Sequence, residues 1–318
     1  GINEPVLLTG EELRTLYPEA LVVKVKATDV FAEIEPQQKE LIIKSLQKSH
    51  FVVAYVGDGI NDVAAINAAD IGISTSNAVD IAKDAADFVL LEKDLSVLAD
   101  GIYEGRKSFV NSMKYIFITT GATFGNMFSI AGASLFLPFL PMLPKQILLT
   151  NLITDLPFLT IASDHADEDQ LIRPGKWDLK MIRHFMIVFG LHSSVFDFIT
   201  FYILYFYFGL SNSAFQTGWF VESSLSELMI LFIIRTKKSF LNSLPGKLLL
   251  ISATLSFCMT LYLPFSPFAG LLGLSVSDIQ PVLVVLLILL VYTITADFLK
   301  IIFFRINDRI ERQHSRHK

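Results

Sequence analysis

The chain has 318 residues, of which 52% are hydrophobic and only 18% charged. Soluble domains average about 45–50% apolar and about 25% charged residues, so this composition, with a mean hydropathy of +0.52, points to an integral membrane protein. The net charge of −5 gives no basic footprint for a nucleic-acid partner, and the single cysteine, Cys258, excludes a disulfide framework and a cysteine metal cluster. Cys258 sits in an apolar run and reads as a lipid- or core-facing filler. The sequence opens on Gly1, with no Met, signal peptide or targeting motif, and reads as a piece of something longer.

Residues 1–106 read as soluble α/β. Residues 20–25 are a short β-branched run, and residues 36–48 have helical spacing with Pro36 near the start. Residues 51–56 read as a buried strand, 71–74 as a second and 87–91 as a third. Strands alternating with helices imply a parallel sheet with crossover connections. From Leu95 a helical pattern continues through Tyr103 and Lys114 without a strong breaker.

Between the first strand and the next helix lies Val-Gly-Asp-Gly-Ile-Asn-Asp, residues 56–62. It crowds Asp58, Asn61 and Asp62 at the C-terminal tip of a strand, where open α/β sheets bind ligands. Gly57 and Gly59 allow a sharp turn and close approach to a phosphate. Asp58 is placed to bind Mg²⁺, while Asn61 and Asp62 are placed to hold a phosphate or the metal's waters. The plainer alternative is an Asx-type turn capping a helix. Nineteen residues earlier, Lys39 falls in the first turn of a helix, where a cation is poorly placed for the helix dipole. It makes sense there if it reaches an anion such as an acyl-phosphate; otherwise it is a solvated surface lysine.

After Lys114 six apolar stretches follow, at about 115–139, 145–163, 184–209, 219–234, 248–264 and 281–304, each near the length of a membrane helix. The second and fourth are short and interrupted by polar residues. Cations cluster at Arg173, Lys176, Lys180 and Arg183, at Arg235, Lys237 and Lys238, and at Lys300, Arg305 and Arg309. Loops 211–218 and 266–280 have no Lys or Arg. The positive-inside rule then places both termini and the α/β region in the cytoplasm, where ATP and Mg²⁺ are.

Asn151, Thr154 and Asp155 have i, i+3, i+4 spacing and share one helix face. Pro157 follows and is expected to disturb the ladder, freeing carbonyls for a cation. Thr123 and Asn126 share a face of the preceding span, where Gly121 and Gly125 permit close helix approach. Such polar groups line ion paths or bond one another across helices. Glu222 and Glu227 lie five residues apart, so their directions diverge by roughly 140° and they do not easily face one site. Glu222, Glu227 and Asp197 each read equally as an ion ligand or a structural partner, and Glu222 also as an outer-boundary residue. Trp177 and Trp219 read as interface anchors.

Together these residues resemble the C-terminal part of a P-type cation-transporting ATPase. FAEIEPQQKELI, VGDGINDVAAINAADIGI, EGRKSFVNSMKYI and NLITD stand in the family's order. LPFLPMLPKQILLTNL, RPGKWD, SSVFDFITF, QTGWFVE and LPFSP are most similar to the magnesium-transporting subgroup. The resemblance implies part of a haloacid-dehalogenase-like α/β phosphorylation domain over residues 1–106. An all-α bundle of six transmembrane helices, equivalent to the fifth to tenth spans, follows over 107–318. It implies Asp58 as the Mg²⁺ ligand, Lys39 on the aspartyl-phosphate, and Asn61 and Asp62 shaping the phosphate site. It places Thr123, Asn126, Asn151, Thr154 and Asp155, with Glu222 a weaker addition, at the transported cation. ATP would be bound by a nucleotide-binding domain elsewhere, and the setting is the plasma (inner) membrane, multi-pass in the lipid bilayer.

Some residues depart from the family pattern. Glu33 stands where an Arg is usual, Val63-Ala64-Ala65 replaces Ala-Pro-Ala, Thr123 replaces an Asn, and NLITD is similar to calcium and sodium pumps, leaving Ca²⁺ or another cation as the alternative ion. No Asp-Lys-Thr-Gly sequence supplies the phosphorylated Asp. The dephosphorylation loop, nucleotide-binding domain and first four spans also find no counterpart. Residues 1–318 alone are therefore expected to form no phosphoenzyme. The leading expectation is the C-terminal portion of a pump, either a fragment or a split-gene half whose partner is the N-terminal half. The alternatives are a non-catalytic remnant or a membrane subunit modulating an intact pump; a membrane-anchored phosphatase lacks a nucleophile.

Overall fold

The computed structural model describes residues 4–92, 94, 96–275 and 278–316, and side chains at 308 and 310–316 are outside it. Leu95, where the helical pattern was expected to begin, lies outside the described residues. The chain divides into two compact units, Gly1–Ile102 and Tyr103–Lys318.

The first unit is α/β. Strand β1 (Leu7–Thr9) leads into α1 (Gly10–Thr15) and α2 (Pro18–Lys26), then β2 (Val30–Ala32), which pairs in parallel with β1. Residues 20–25, the β-branched run, are thus helical. Pro18 at the first helical position pre-sets φ, and Leu21 and Val25 at i, i+4 bury one face against Leu8, Leu13 and Ile42. The triplet Thr9-Gly10-Glu11 shares its letters, TGE, with the family's dephosphorylation loop, but here it opens α1. The Thr9 hydroxyl caps the Glu12 N–H while the Glu12 carboxylate accepts from the Thr9 N–H.

Helix α3 (Pro36–Lys48) follows, then β3 (Ala54–Val56), α4 (Val63–Ala68), β4 (Ile71–Thr75), α5 (Asp80–Ala85) and β5 (Phe88–Leu90). The three strands form a parallel sheet in the order β3-β4-β5. β3 is shorter than expected and is not buried. It is the edge of this sheet, and Phe51 and Val52, which precede it, are exposed. Gly72 and Ile66 pack closely where α4 crosses β4.

Helix α6 (Ser96–Ala133) is continuous over 38 residues. The second unit continues with α7 (Pro144–Thr160), the short α8 (Glu168–Leu171), α9 (Leu179–Tyr202, prolonged by a π-helical turn to Tyr207), α10 (Asn212–Ile234), α11 (Lys247–Tyr262), the short α12 (Ala269–Leu272) and α13 (Gln280–Arg316). Six of these helical stretches are long and apolar enough to cross a membrane. The fourth is not a shortened span. It covers Asn212–Ile234, and 83% of its most apolar stretch is buried, against 33–44% for the other five. Its polar residues interrupt the hydropathy because α10 is the inner helix, packed on α7, α9, α11 and α13.

The helices meet closely where small residues allow it. A Cβ on Gly190 of α9 would lie 2.4 Å from the Phe124 ring and 3.1 Å from the Gly125 nitrogen, and the Ser194 hydroxyl bonds the Gly125 carbonyl at 3.1 Å. At one end of the bundle Asp164, fully buried, accepts from Lys114 Nζ at 3.0 Å and from the Gly246 N–H at 2.9 Å, with Arg235 at 3.8 Å. Asn111 adds hydrogen bonds to the carbonyls of Ala162 and Asp164. This ion cluster ties α6 to the segments after α7 and α10.

Candidate functional sites

The Gly-Asp-Gly loop is set by its own hydrogen bonds. The Gly57 N–H continues the ladder to the Ile73 carbonyl at 3.0 Å, the Ser74 hydroxyl donates to the Gly57 carbonyl at 3.0 Å, and the Val79 N–H donates to the Asp58 carbonyl at 3.1 Å. Residues Ile60–Asp62 then make a single 3₁₀ turn that delivers the chain into α4. Gly57 is required here, because a Cβ would lie 2.4 Å from the Asp62 Cβ. The Asp62 side chain folds back over the turn instead.

Asp62 is the centre of this loop. Its Oδ1 accepts from Lys39 Nζ and from the Tyr55 hydroxyl, both at 2.7 Å, and its Oδ2 accepts from the Gly59 N–H at 3.2 Å. Burial pushes this carboxyl upward, but the bonds from Lys39, Tyr55 and Gly59 outweigh it and hold the carboxyl below its ordinary range. Burial, and then the bond to Asp62, push the Tyr55 phenol well above its ordinary value. Asp62 therefore spends its oxygens inside the protein, and Lys39 is held by it beside the loop. Asp58 and Asn61 are exposed.

A single outward carboxylate at a strand tip suits Mg²⁺, a hard cation that keeps several waters and binds through one or two carboxylates plus phosphate. Among the described residues no group of three or more His, Cys, Asp or Glu is placed to hold a metal. Asp58 thus fits as one ligand of a mostly water- and phosphate-bound ion.

In the bundle, Thr123, Asn126, Asn151, Thr154 and Asp155 line one cavity of about 300 Å³, together with Ser223 and Glu227. Asn126 Nδ2 donates to Glu227 Oε1 at 2.5 Å and Asn126 Oδ1 accepts from the Ser223 hydroxyl at 3.2 Å. The Thr154 hydroxyl donates to the Thr150 carbonyl at 3.1 Å. Helices α6, α7 and α10 thus contribute two carboxylates, two carboxamides and several hydroxyls to one space, a donor set suited to a hard dication.

Three expectations change. Pro157 does not break α7, which runs helical to Thr160, and the carbonyl that Pro157 leaves without a partner, that of Ile153, accepts from the Ser256 hydroxyl at 2.7 Å instead of facing the cavity. Glu222 does not line the cavity and is not at an outer boundary. It is 1% exposed, and its Oε2 is buried with no hydrogen-bond partner. Trp219 is likewise no interface anchor: it is 1% exposed and its indole N–H donates to Asp197 Oδ1 at 2.7 Å. Trp177 is 61% exposed and stacks edge-on against Phe109.

The chain thus joins an α/β unit to six helices long and apolar enough to cross a membrane, whose bundle holds an acidic polar cavity. Residues 38–102 match the haloacid dehalogenase-like hydrolase family and residues 139–302 match the family described as cation transporting ATPase, C-terminus. The chain belongs to this cation-transporting ATPase family.

It is 42% identical over 272 residues to the magnesium-transporting ATPase, P-type 1, of Escherichia coli K12, which covers 84% of this chain and 30% of the relative. The protein of the same description from Salmonella typhimurium LT2 is 41% identical over the same shares. A calcium-transporting ATPase of Bacillus subtilis is 35% identical over 169 residues, 52% of this chain and 19% of that protein. The chain thus spans under a third of the length of the magnesium-transporting relatives.

Proposed function

We propose that this chain is the C-terminal part of an ATP-driven pump that moves Mg²⁺ across the membrane. One observation carries the reading: the polar residues of α6, α7 and α10 converge on a single cavity in a bundle that is 42% identical, over 272 residues, to part of a magnesium-transporting ATPase. Asp155 and Glu227 supply negative charge to the cargo ion, and Asn126, Asn151, Thr123 and Thr154 supply neutral oxygens.

In the α/β unit, Asp58 holds the Mg²⁺ that neutralises phosphate charge during phosphoryl transfer. Lys39, fixed by Asp62, presents its ammonium to the acyl-phosphate, and Gly57 and Gly59 keep the loop narrow enough for a phosphate to approach. ATP, the phosphorylated Asp and the remaining spans belong to the N-terminal portion of the complete pump. Helix α6, unbroken over Ser96–Ala133, is the covalent link between the phosphate chemistry and the cavity. The distribution of Lys and Arg among the loops supports an orientation with both ends and the α/β unit in the cytoplasm, and the membrane we assign is the plasma (inner) membrane.

The test is a chimera in which this chain replaces the corresponding C-terminal part of the E. coli relative, expressed in cells lacking Mg²⁺ uptake. Growth at limiting Mg²⁺ is the expected result, lost with Asp58→Asn. A stably inserted chimera that never supports growth, although it is phosphorylated by ATP, would falsify the Mg²⁺ assignment.

A further inference from the structure

The lysine at the Gly-Asp-Gly loop is held by a carboxylate that is itself held from behind. Lys39 Nζ and the Tyr55 hydroxyl donate to the same oxygen, Asp62 Oδ1, each at 2.7 Å. Tyr55 is the middle residue of β3, and its ring packs against Ile66, Ala78 and Ala82. The ring and the carboxylate share a space that exists because residue 57 is glycine. A Cβ there would lie 2.4 Å from the Asp62 Cβ and 3.0 Å from the Tyr55 Cε1. Gly57 is in turn pinned to β4 through the Ile73 carbonyl and the Ser74 hydroxyl. The phenol is thus a donor fixed on a strand, whereas Lys39 reaches the same oxygen on a flexible four-carbon stem.

A carboxylate oxygen has about two acceptor directions, and on Oδ1 one is taken by the phenol and the other by the ammonium. Oδ2 accepts from the Gly59 N–H at 3.2 Å. The Asp62 side chain is 13% exposed, so water has little access to a vacated position on Oδ1. Without the phenol the carboxylate satisfies that position by turning toward its one mobile donor, and the Lys39 ammonium turns with it. An ammonium has three N–H donors, of which Asp62 uses one; the others are on a side chain 28% exposed, open to an anion.

We propose that Tyr55 is a positioning residue of the phosphate site: it fixes Asp62, and through Asp62 it sets where Lys39 presents its ammonium to the acyl-phosphate. It touches neither phosphate nor Mg²⁺. The last step rests on the function proposed above; the chain of contacts from Tyr55 to Asp62 to Lys39 does not.

The test is trace acetylation of the full chain in detergent with acetic anhydride, read lysine by lysine by mass spectrometry. Lys44 and Lys48, on the same helix as Lys39, report whether α3 survives. Tyr55→Phe keeps the ring and removes the hydroxyl, and it should raise labelling of Lys39 by about threefold or more, with Lys44 and Lys48 unchanged. Asp62→Asn should do the same, and the double variant should label no faster than Asp62→Asn, because Tyr55 acts through that carboxylate. Unchanged labelling of Lys39 in Tyr55→Phe overturns the proposal. So does a rise shared by all three lysines, the mark of a tyrosine that only supports the fold, and so does an additive double variant. In the chimera with the E. coli relative, Tyr55→Phe should lower kcat for ATP hydrolysis about tenfold at an unchanged KM for ATP, and a wild-type kcat overturns the proposal equally. A chimera without substitutions that forms no phosphoenzyme counts against the proposed function instead, and the labelling then decides for or against Tyr55.

Discussion

The Ser256 hydroxyl on α11 donates to the Ile153 carbonyl on α7 at 2.7 Å, filling the position that the absent N–H of Pro157 leaves open. The two spans are joined through a backbone defect rather than through side-chain packing alone. Ser256→Ala should leave that buried carbonyl unpaired and lower stability by about 1–3 kcal/mol. In a Pro157→Ala background, where the helix bonds itself, the same substitution should cost much less. Thermal unfolding of the four proteins of this cycle in detergent measures the difference.

Asp164 is buried with Lys114 and Arg235, whose side chains are 5% and 1% exposed. Asp164→Ala strands two cations out of water and should destabilise the bundle by about 3–5 kcal/mol. Asp164→Asn keeps the hydrogen-bond acceptor and should cost less. Melting temperature at fixed detergent and salt is the measurement.

The α/β unit should lose stability in acid through Asp62. Its folded carboxyl titrates below the ordinary range, so the stabilisation is complete above about pH 4 and disappears as pH falls through the depressed folded value. Tyr55 acts at the other end: its raised phenol stabilises fully below about pH 10 and ceases to as pH rises further. Asp62→Asn should flatten the acid limb and leave Lys39 mobile, read by unfolding against pH and by Lys39 NMR line width.

Helices α6 and α9 approach closely at Gly190 and Gly125. Gly190→Leu drives a side chain into Phe124 and the Gly125 backbone and should disrupt bundle packing, whereas Gly209→Ala, where a Cβ meets nothing within 4 Å but φ is +58°, should cost only the roughly 1 kcal/mol of a left-handed residue. Resistance to limited proteolysis in detergent separates the two.

Much of the architecture was legible because local signals agreed. Residues 36–48 carry Pro at the first helical position and a regular apolar face, and the helix occupies just those residues. Residues 20–25, a β-branched run, are helical because Pro18 opens the helix and Leu21 and Val25 share its buried face. The divergence of Glu222 and Glu227 was sound rotational geometry. Glu227 meets Asn126 in the cavity, while Glu222 is buried outside it. Hydropathy also hid α10, since an inner helix can carry polar residues that a lipid-facing one cannot. The fate of the Ile153 carbonyl depends on Ser256, 103 residues away, and no local pattern announces it.

The central claim is that the cavity on α6, α7 and α10 carries the pumped ion. ATP-driven Mg²⁺ uptake into proteoliposomes containing the chimera tests it most directly, comparing wild type with Asp155→Asn and Glu227→Gln. The account predicts that both variants still take phosphate from ATP but lose at least tenfold in Mg²⁺ uptake, about 1.4 kcal/mol or more of ion binding. Uptake at the wild-type rate in Asp155→Asn would contradict it.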